Sequence, residues 1–452
     1  MNWVIKENND NESVKRLSNE LNISPILSSM LVNRRIKTFD EAKKFFRPNF
    51  EMLHDPFLMK DMSLAVERIQ KAIQKNESIM IFGDYDVDGT SSVALLSMYL
   101  ESLGLKIIKY LPDRKKEGYG VSINAIDHAF SKNHKLIIAL DCGIKAHKQV
   151  EYAKEKGIEF IICDHHNPDK NLPKALAILN PKRKDCAYPF KELCGCGVGF
   201  KLVQAIESKQ SKNNQIINYL DLVALAIAAD VVPLTGENRV LAFIGLQIIN
   251  SNPRPGVHSL LKKNVKKEYT ISDLMYYVGP RINAAGRMKH ASLALELLIC
   301  NDINSVEKLA LEIEDLNTSR RDIEKDITSE AIEQVDNSSE KLNSIVVFDS
   351  DWNKGVIGIV ASRLVDKYYK PSIVFCESSK GVLTASARSI KGLDLYSVLN
   401  QCKGFIDQFG GHKYAAGLTI KKENLEGFKK HFENIVSQII DKDSDIACLH
   451  HF

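Results

Sequence analysis

No two cysteines in the 452 residues form a CxxC pair, and the cysteine count, nine, is odd. That argues against a disulfide framework and suits a reducing cytosol. Cys194 and Cys196, in LCGCGVGF, are the closest pair, and they fit packing or a turn better than half a zinc site. No apolar run approaches the ~20 residues a membrane-spanning helix needs. The opening stretch MNWVIKENNDNE lacks the apolar core of a secretory signal, so a cytoplasmic chain with no membrane association is expected. A strong excess of one charge is missing too: 61 Lys and Arg stand against 57 Asp and Glu, a formal net charge of +4. Any binding of nucleic acid must then come from local basic patches, not from a bulk field. There is no internal repeat and no low-complexity segment.

What is present is ordinary for a soluble globular protein, with 44% hydrophobic and 26% charged residues. The length allows two or three domains, each with its own core. Residues 12–46 read as short helices, and Thr38 and Glu41 have capping-box spacing ahead of EAKKFF. FRPNFEMLHDPFLMKDM reads as irregular chain, followed by a helix over 63–75. Strands and helices then alternate: SIMIFG, LKIIKYLP, KLIIALD, IEFIICDHH and ALAILNP are strands, with helices in SSVALLSMYLESLG and HKQVEYAKEKG. This pattern predicts a parallel sheet with right-handed crossovers. From Gly197 to Leu316 the chain turns mostly helical, with DLVALAIAADVVPL as a helix and VGPRINAAGRM as a loop. Residues 303–335 read as one long charged helix. A second α/β domain starts near Ser344, and its FGGHKYAAG reads as a glycine-rich loop. The expected boundaries are a helical lead-in over 1–62, a catalytic domain with a helical extension over 63–302, a connecting helix over 303–340, a smaller domain over 341–440 and a tail over 441–452.

The chemistry starts at MIFGDYDVDGTSS. Asp84, Asp86 and Asp88 follow an apolar run that ends at Phe82. Just past the carboxyl end of a strand is where open α/β sheets bind ligands. Three carboxylates this close repel one another unless a cation intervenes, and oxygen-rich sites select hard ions such as Mg²⁺ or Mn²⁺. Asp and Gly also favour turns, so taken alone this stretch fits an acidic turn as well as a metal site. Asp141, the run Asp164, His165, His166, and Asp230 bring further ligand types from three other segments. Parallel neighbouring strands would gather these ends at one sheet edge. Carboxylates with one or two imidazoles suit a two-metal hydrolytic site.

The ordered set GDYDVDG, LDCG, DHH and AAD resembles the four motifs of the DHH phosphoesterase superfamily, and GGHKYAAG resembles the glycine-rich signature of the DHHA1 domain. With FRPNFEMLHDPFLMKDM, LPDRKKEGYG, VGPRINAAGRM, WNKGVIGIVASRL and SARS, the chain is similar over nearly its whole length to the RecJ family of single-strand-specific exonucleases. The resemblance implies an α/β fold: a DHH domain with a parallel sheet flanked by helices, a long connecting helix, and a smaller α/β DHHA1 domain with a mixed sheet. It implies 5′-to-3′ hydrolysis of single-stranded DNA by a two-metal mechanism, with Mn²⁺ or Mg²⁺ as two cofactor ions, release of 5′-mononucleotides, and work in recombination and repair. Asp86, Asp88, Asp141, His165 and Asp230 would hold the ions, with Asp141 bridging them and Asp86 and Asp88 on different ions. Asp84 would be a ligand or orient one. His166 would face the scissile phosphate or support the metal ligands, and Asp164 would hydrogen-bond a loop or a histidine.

For the terminal 5′ phosphate the resemblance implies a basic pocket of Ser386 and Arg388, with Arg281 as a partner and Arg114 as a further candidate. His412 would meet a phosphate or a base. Tyr119, Tyr414 and Phe409 could stack on bases, though core packing is the simpler expectation for each. A RecQ-type helicase and a single-strand-binding protein are the implied partners, and a monomer the implied state. Longer members continue into an OB-fold domain. The tail DKDSDIACLHHF is too short for one, so a minimal or truncated form with weaker cover of DNA is expected.

DVDGT also matches the nucleophile loop of haloacid-dehalogenase-type phosphatases, with Asp86 as nucleophile and Asp88 as general acid. In that family the strand runs straight into the first Asp, whereas here Gly83, Asp84 and Tyr85 intervene and DHH goes unexplained. Two further alternatives are a DHH/DHHA1 phosphodiesterase for oligonucleotides or cyclic dinucleotides, and a non-catalytic DHH scaffold. Scaffolds of that kind lose metal ligands, and all four motifs are intact here.

Overall fold

The computed structural model describes residues 10–114, 116–210, 215–262, 265–338 and 342–440. The expected tail and the first nine residues of the lead-in lie outside these. The chain divides into two compact units, residues 2–314 and 315–452 apart from Met1.

The first unit opens with three short helices, Asn11–Leu21, Pro25–Asn33 and Phe39–Phe46, around a small core that includes Leu17, Leu31 and Ala42. The capping box forms: Thr38 Oγ1 accepts from the Glu41 amide at 3.2 Å and Glu41 accepts from the Thr38 amide at 3.1 Å. The lead-in that follows contains two 3-10 turns, Phe50–Met52 and Pro56–Leu58. It is pinned by a buried network. The Glu237 carboxylate accepts from the His54 amide and the Tyr188 hydroxyl, and Lys201 Nζ donates to the His54 carbonyl at 2.7 Å and lies 3.2 Å from Glu237. Every charge in it has a partner, as burial of a Lys–Glu pair requires.

Five strands follow: β1 (Ile79–Gly83), β2 (Ile107–Tyr110), β3 (Leu136–Leu140), β4 (Glu159–Cys163) and β5 (Ala177–Leu179). They form one sheet in the order β2-β1-β3-β4-β5, parallel throughout. Every residue of β1 and β3 is buried, which is why these runs are apolar without alternation. Parallel neighbours need crossovers. Helices Val87–Ser102 and His147–Glu155 supply two of them, as the sequence predicts. A third, Ile123–Ser131 between β2 and β3, has no counterpart in the sequence reading. Its INAIDHAFS is short and polar-interrupted, and its one clear signal is the Ser122 cap, which accepts from the Ala125 amide at 3.1 Å. The strand order reverses between β1 and β3, a topological switch point. Register places Gly83, Leu140 and Cys163 in one row across β1, β3 and β4. Asp84, Asp141 and Asp164 therefore leave the sheet side by side.

The rest of this unit is helical, including Gly195–Gln210, Leu220–Asp230, Gly236–Ser251 and Gly279–Met288. The last of these corrects the loop expected at VGPRINAAGRM. The helix runs on directly from a π-helical turn, Leu274–Val278, and Pro280, which has no amide to donate, follows that turn. The long helix spans Ile303–Asp336, 34 residues, close to the expected range.

The second unit holds a mixed sheet of β6 (Ile345–Asp349), β7 (Ser372–Ser379), β8 (Val382–Arg388), β9 (Gln408–Gly411) and β10 (Ala415–Lys421), ordered β6-β7-β8-β10-β9. Only β6 and β7 pair in parallel. FGGHKYAAG, expected as a loop, is a hairpin whose arms belong to β9 and β10, with the His412 amide donating to the Ala415 carbonyl at 2.8 Å. Gly411 has φ 156°, and a Cβ there would lie 2.4 Å from the Ala415 carbonyl oxygen. The hairpin's glycine is thus a steric requirement. The core lies between the sheet and the helices Leu395–Gln401 and Leu425–Ile440, with Phe375, Phe428 and Phe432 fully buried.

Candidate metal centre

The three aspartates after β1 occupy different positions. Asp84 lies in the turn, Asp86 caps the helix Val87–Ser102 by accepting from the Gly89 amide at 3.0 Å, and Asp88 stands on that helix's first turn. Gly89 lets the helix settle against the turn, since a Cβ there would lie 2.4 Å from the Asp84 carbonyl oxygen. Asp141 follows β3 with φ 59°, a left-handed backbone that Asp tolerates better than most residues. Asp164 follows β4. Asp230 ends the helix Leu220–Asp230.

These segments converge. Asp84, Asp86 and Asp141 bring one ligand atom each within 4.8 Å of one another, and so do Asp88, His165 and Asp230, and Asp141, His165 and His166. His165 Nε2 lies 3.2 Å from Asp141, 3.6 Å from Asp230 and 3.8 Å from Asp88. All seven catalytic and metal candidates of the sequence reading, Asp84, Asp86, Asp88, Asp141, His165, His166 and Asp230, thus meet in one cluster. Asp141 and His165 each belong to two of its groups.

A cation fits these donors on physical grounds. Asp84 Oδ1, Asp141 Oδ1 and both ring nitrogens of His165 are buried with no hydrogen-bond partner. Buried polar atoms without partners are rare in proteins and call for one. The carboxylates are strained by their own company. Burial first, and then Asp86, hold the Asp84 carboxyl well above its ordinary range; burial and Asp88 do the same to Asp141. Burial and Asp230 push Asp88 up to about 7, and burial and Asp86 push Asp230 up to about 7. Burial also lowers His165, favouring the neutral imidazole that binds metals. A bound cation inverts this balance.

Asp164 does other work. Its Oδ1 accepts from the His165 amide at 2.7 Å, the His166 amide at 3.0 Å and His166 Nδ1 at 2.7 Å, and its Oδ2 accepts from the Ile144 amide at 2.9 Å. Burial would raise this carboxyl, but those hydrogen bonds hold it down at about 2. Burial opposes charge on His166 too, yet the Asp164 carboxylate raises it. The Asp164 role implied by the resemblance, hydrogen-bonding a loop and a histidine, describes these contacts.

Four participants carry little or no ligand signal in sequence. The amides of Gly195 and Cys196 donate to the two oxygens of Asp88, at 2.7 Å each, from the first turn of the helix Gly195–Gln210. A Cβ on Gly195 would lie 2.6 Å from Asp141 Oδ1. LCGCGVGF therefore forms the back wall of the cluster, and Cys194 and Cys196 are buried packing as expected. Gly286 approaches the turn from another side: a Cβ there would lie 2.8 Å from the Tyr85 carbonyl oxygen. Tyr119 is not core. It is 59% exposed, and its hydroxyl lies 3.2 Å from His166 Nε2. The three glycines in LCGCGVGF were the available signal.

The basic candidates divide. The Arg114 guanidinium lies over the Tyr85 ring, 4.7 Å from its centroid, next to the acidic turn. Arg281 is buried and committed: it pairs with Glu314 and donates to the Tyr277 carbonyl at 2.6 Å. It holds the helix Gly279–Met288 and presents no open guanidinium, a correction to its expected place in a phosphate pocket. In the second unit Arg388 Nη1 lies 3.1 Å from Ser386 Oγ beside the start of the helix Ile357–Tyr368. A Cβ on Gly358 would lie 2.9 Å from that hydroxyl and 3.2 Å from Arg388 Nη2. His412 and Tyr414 are exposed at the hairpin tip, while Phe409 packs against the core beside Tyr396.

Comparison with known proteins agrees with this architecture. Residues 78–227 match the DHH family, N-terminal domain, and residues 341–438 match the DHHA1 domain. The chain is 39% identical to the single-stranded-DNA-specific exonuclease RecJ of Bacillus subtilis, covering 99% of this chain and 56% of that protein. It is 36% identical to the RecJ of Haemophilus influenzae, covering 94% of this chain and 77% of that one. Among solved structures, RecJ from Thermus thermophilus in complex with Mn²⁺ superposes with a TM-score of 0.83 at 26% identity, over 94% of this chain and 61% of that one. An exonuclease RecJ bound to manganese superposes with a TM-score of 0.75 at 30% identity, over 85% and 96%. The chain thus spans little more than half the length of the Bacillus and Thermus relatives. With its parallel and mixed sheets, its converged acidic cluster and these likenesses, the chain belongs to the RecJ family, built on DHH and DHHA1 domains.

Proposed function

We propose that this protein is a Mn²⁺- or Mg²⁺-dependent exonuclease that degrades single-stranded DNA from its 5′ end and releases 5′-mononucleotides, in recombination and repair. The observation that carries the reading is the cluster itself: ligands from four segments meet at the carboxyl edge of a parallel sheet, with buried oxygens and ring nitrogens that make no hydrogen bond. Relatives of the same family are single-stranded-DNA-specific exonucleases by name, and two of their structures contain manganese.

In this reading Asp86, Asp88, Asp141, His165 and Asp230 would hold two ions, with Asp141, a member of two of the ligand groups, available to both, and Asp84 would be a further ligand or an orienting group. When bound, two such ions supply an activated water and neutralise charge on the phosphoryl group. The chain's own residues do the rest. Gly195 and Cys196 amides fix Asp88, and Asp164 fixes His166 with its charge favoured, suited to a phosphate oxygen. Ser386 and Arg388, beside a helix N-terminus, suit the terminal 5′ phosphate, because an arginine fork and helix amides both favour that anion. Arg114 and His412 are further phosphate or base contacts. The proposed domains are a DHH domain with extension over 63–302, a connecting helix over 303–340 and a DHHA1 domain over 341–440. A cytoplasmic monomer that works with a RecQ-type helicase and a single-strand-binding protein completes the proposal. No helix among the described residues is long and apolar enough to cross a membrane.

The test is an assay on single-stranded and duplex DNA labelled at either end, with Mn²⁺ or Mg²⁺, beside a short oligoribonucleotide and a cyclic dinucleotide. The expected result is mononucleotide release from the 5′ end of single strands. Equal attack from 3′ ends, or preference for the small substrates, would overturn it. Covalent phosphate on Asp86 would point to the haloacid-dehalogenase-type reaction.

A further inference from the structure

Glu117 is a carboxylate that belongs to none of the ligand groups. Glu117 sits in the loop between β2 and the helix Ile123–Ser131 and accepts from three directions. The Tyr110 hydroxyl, at the end of β2, donates to Oε2 at 2.9 Å; the Ser122 hydroxyl, at the helix cap, donates to the same oxygen; the Asp113 amide donates to Oε1 at 2.8 Å. The Glu117 amide returns a bond to the Asp113 carbonyl at 2.8 Å. This one side chain closes two small loops. Residues 113–117 carry Arg114, and residues 117–122 carry Tyr119.

Each loop ends on the metal cluster's border. Arg114 lies over Tyr85, between Asp84 and Asp86. Tyr119 reaches His166 Nε2 while Asp164 holds Nδ1, so the imidazole is gripped at both nitrogens. Gly118 and Gly120 flank Tyr119 with φ 82° and 81°, left-handed on both sides. A segment bent this way has little intrinsic preference for a single pose, and Glu117 supplies the anchor. A 59% exposed tyrosine would otherwise be free to swing away from its histidine.

We infer that Glu117 is a positioning residue: its carboxylate mounts Tyr119 against His166 and Arg114 against Tyr85, and so orients the groups that border the metal cluster on the substrate side. The kinetic part of its test rests on the proposed nuclease function; the spectroscopic part rests on geometry alone.

Glu117→Ala, Tyr119→Phe and the double variant are compared on a 5′-phosphorylated single-stranded oligonucleotide at saturating Mn²⁺. Glu117→Ala is expected to lower kcat about tenfold in the wild-type background with KM changed less than about twofold. In the Tyr119→Phe background the same change is expected to lower kcat only about threefold or less, because neighbours that act together are not additive. An equal factor in both backgrounds would mean Glu117 only stabilises the fold, and would overturn the inference. On the same proteins without metal, the ¹⁵N resonance of His166 Nε2 is read at fixed pH. Glu117→Ala is expected to move it toward its position in Tyr119→Phe; a resonance unmoved from wild type would overturn the inference. If Glu117→Ala does not fold, Glu117→Gln carries both measurements, since its amide keeps the volume and loses one acceptor. A wild type without nuclease activity would defeat the proposed function, and the resonance would still decide the role of Glu117.

Discussion

Asp88 and Asp230 share a difficulty: as proposed ligands each would carry charge to bind a cation, and each stands beside another carboxylate, Asp88 beside Asp230 and Asp230 beside Asp86. Both carboxyls are pushed up to about 7, from an ordinary value of 3.8. A carboxyl raised on folding holds its proton longer in the folded chain than in the unfolded one. Metal-free protein therefore loses stability as pH climbs from about 4 through about 7, and below about 4 the term vanishes. Replacing Asp230 by Asn removes one such carboxyl. Metal-free Asp230→Asn is expected to melt above wild type at pH 7.5 and level with it near pH 4, by scanning calorimetry. A lower midpoint at pH 7.5 would contradict the assigned strain. The next residue gives a second test. Val231 has φ 55° and is 66% exposed, a β-branched residue in the left-handed position where helices prefer glycine. Val231→Gly is expected to stabilise the chain by about 1 kcal/mol in denaturant unfolding, the order of strain a left-handed non-glycine residue stores. A destabilised variant would mean that the valine side chain makes up for its backbone.

At the scale of elements, the site depends on where a helix starts. The first turn of Gly195–Gln210 meets Asp88 through two amides and passes Asp141 so closely that only a glycine fits. Gly195→Ala is expected to weaken Mn²⁺ binding at least about tenfold and to destabilise the fold by about 1–3 kcal/mol, as overpacking does. Titration calorimetry and denaturant unfolding read the two effects, and Mn²⁺ affinity equal to wild type would contradict the wall described here. These contacts also mark the limit of the sequence reading. Strand ends with acidic residues after them were legible because apolar runs and Asp are local signals, and the long helix Ile303–Asp336 was legible because its charged periodicity is sustained. The Gly195 contact was not legible, since it joins residues 107 positions apart and uses an amide that any residue would offer. The helix Gly279–Met288 reads as a loop because Pro280 and the two glycines in GPRINAAGR are helix breakers, while the π turn Leu274–Val278 that carries the chain into it leaves no local sequence signal. The hairpin at Gly410 and Gly411 reads as a loop because its glycines have weak strand propensity, which pairing across β8, β10 and β9 overrides.

For the whole molecule, the cluster is a charge problem that folding creates and metal solves. Binding to the folded chain alone raises stability in proportion to occupancy. Mn²⁺ is therefore expected to raise the melting midpoint more at pH 8 than at pH 6, because protons compete for the same carboxylates below about 7. A shift independent of pH would place the ion elsewhere. The most direct test of the central claim counts Mn²⁺ bound per chain, by calorimetry, in wild type and Asp141→Asn. Asp141 alone among the carboxylates belongs to two of the ligand groups. The account expects two ions in the wild type and at most one in the variant. An undiminished count in Asp141→Asn, or no bound Mn²⁺ in the wild type, would contradict it.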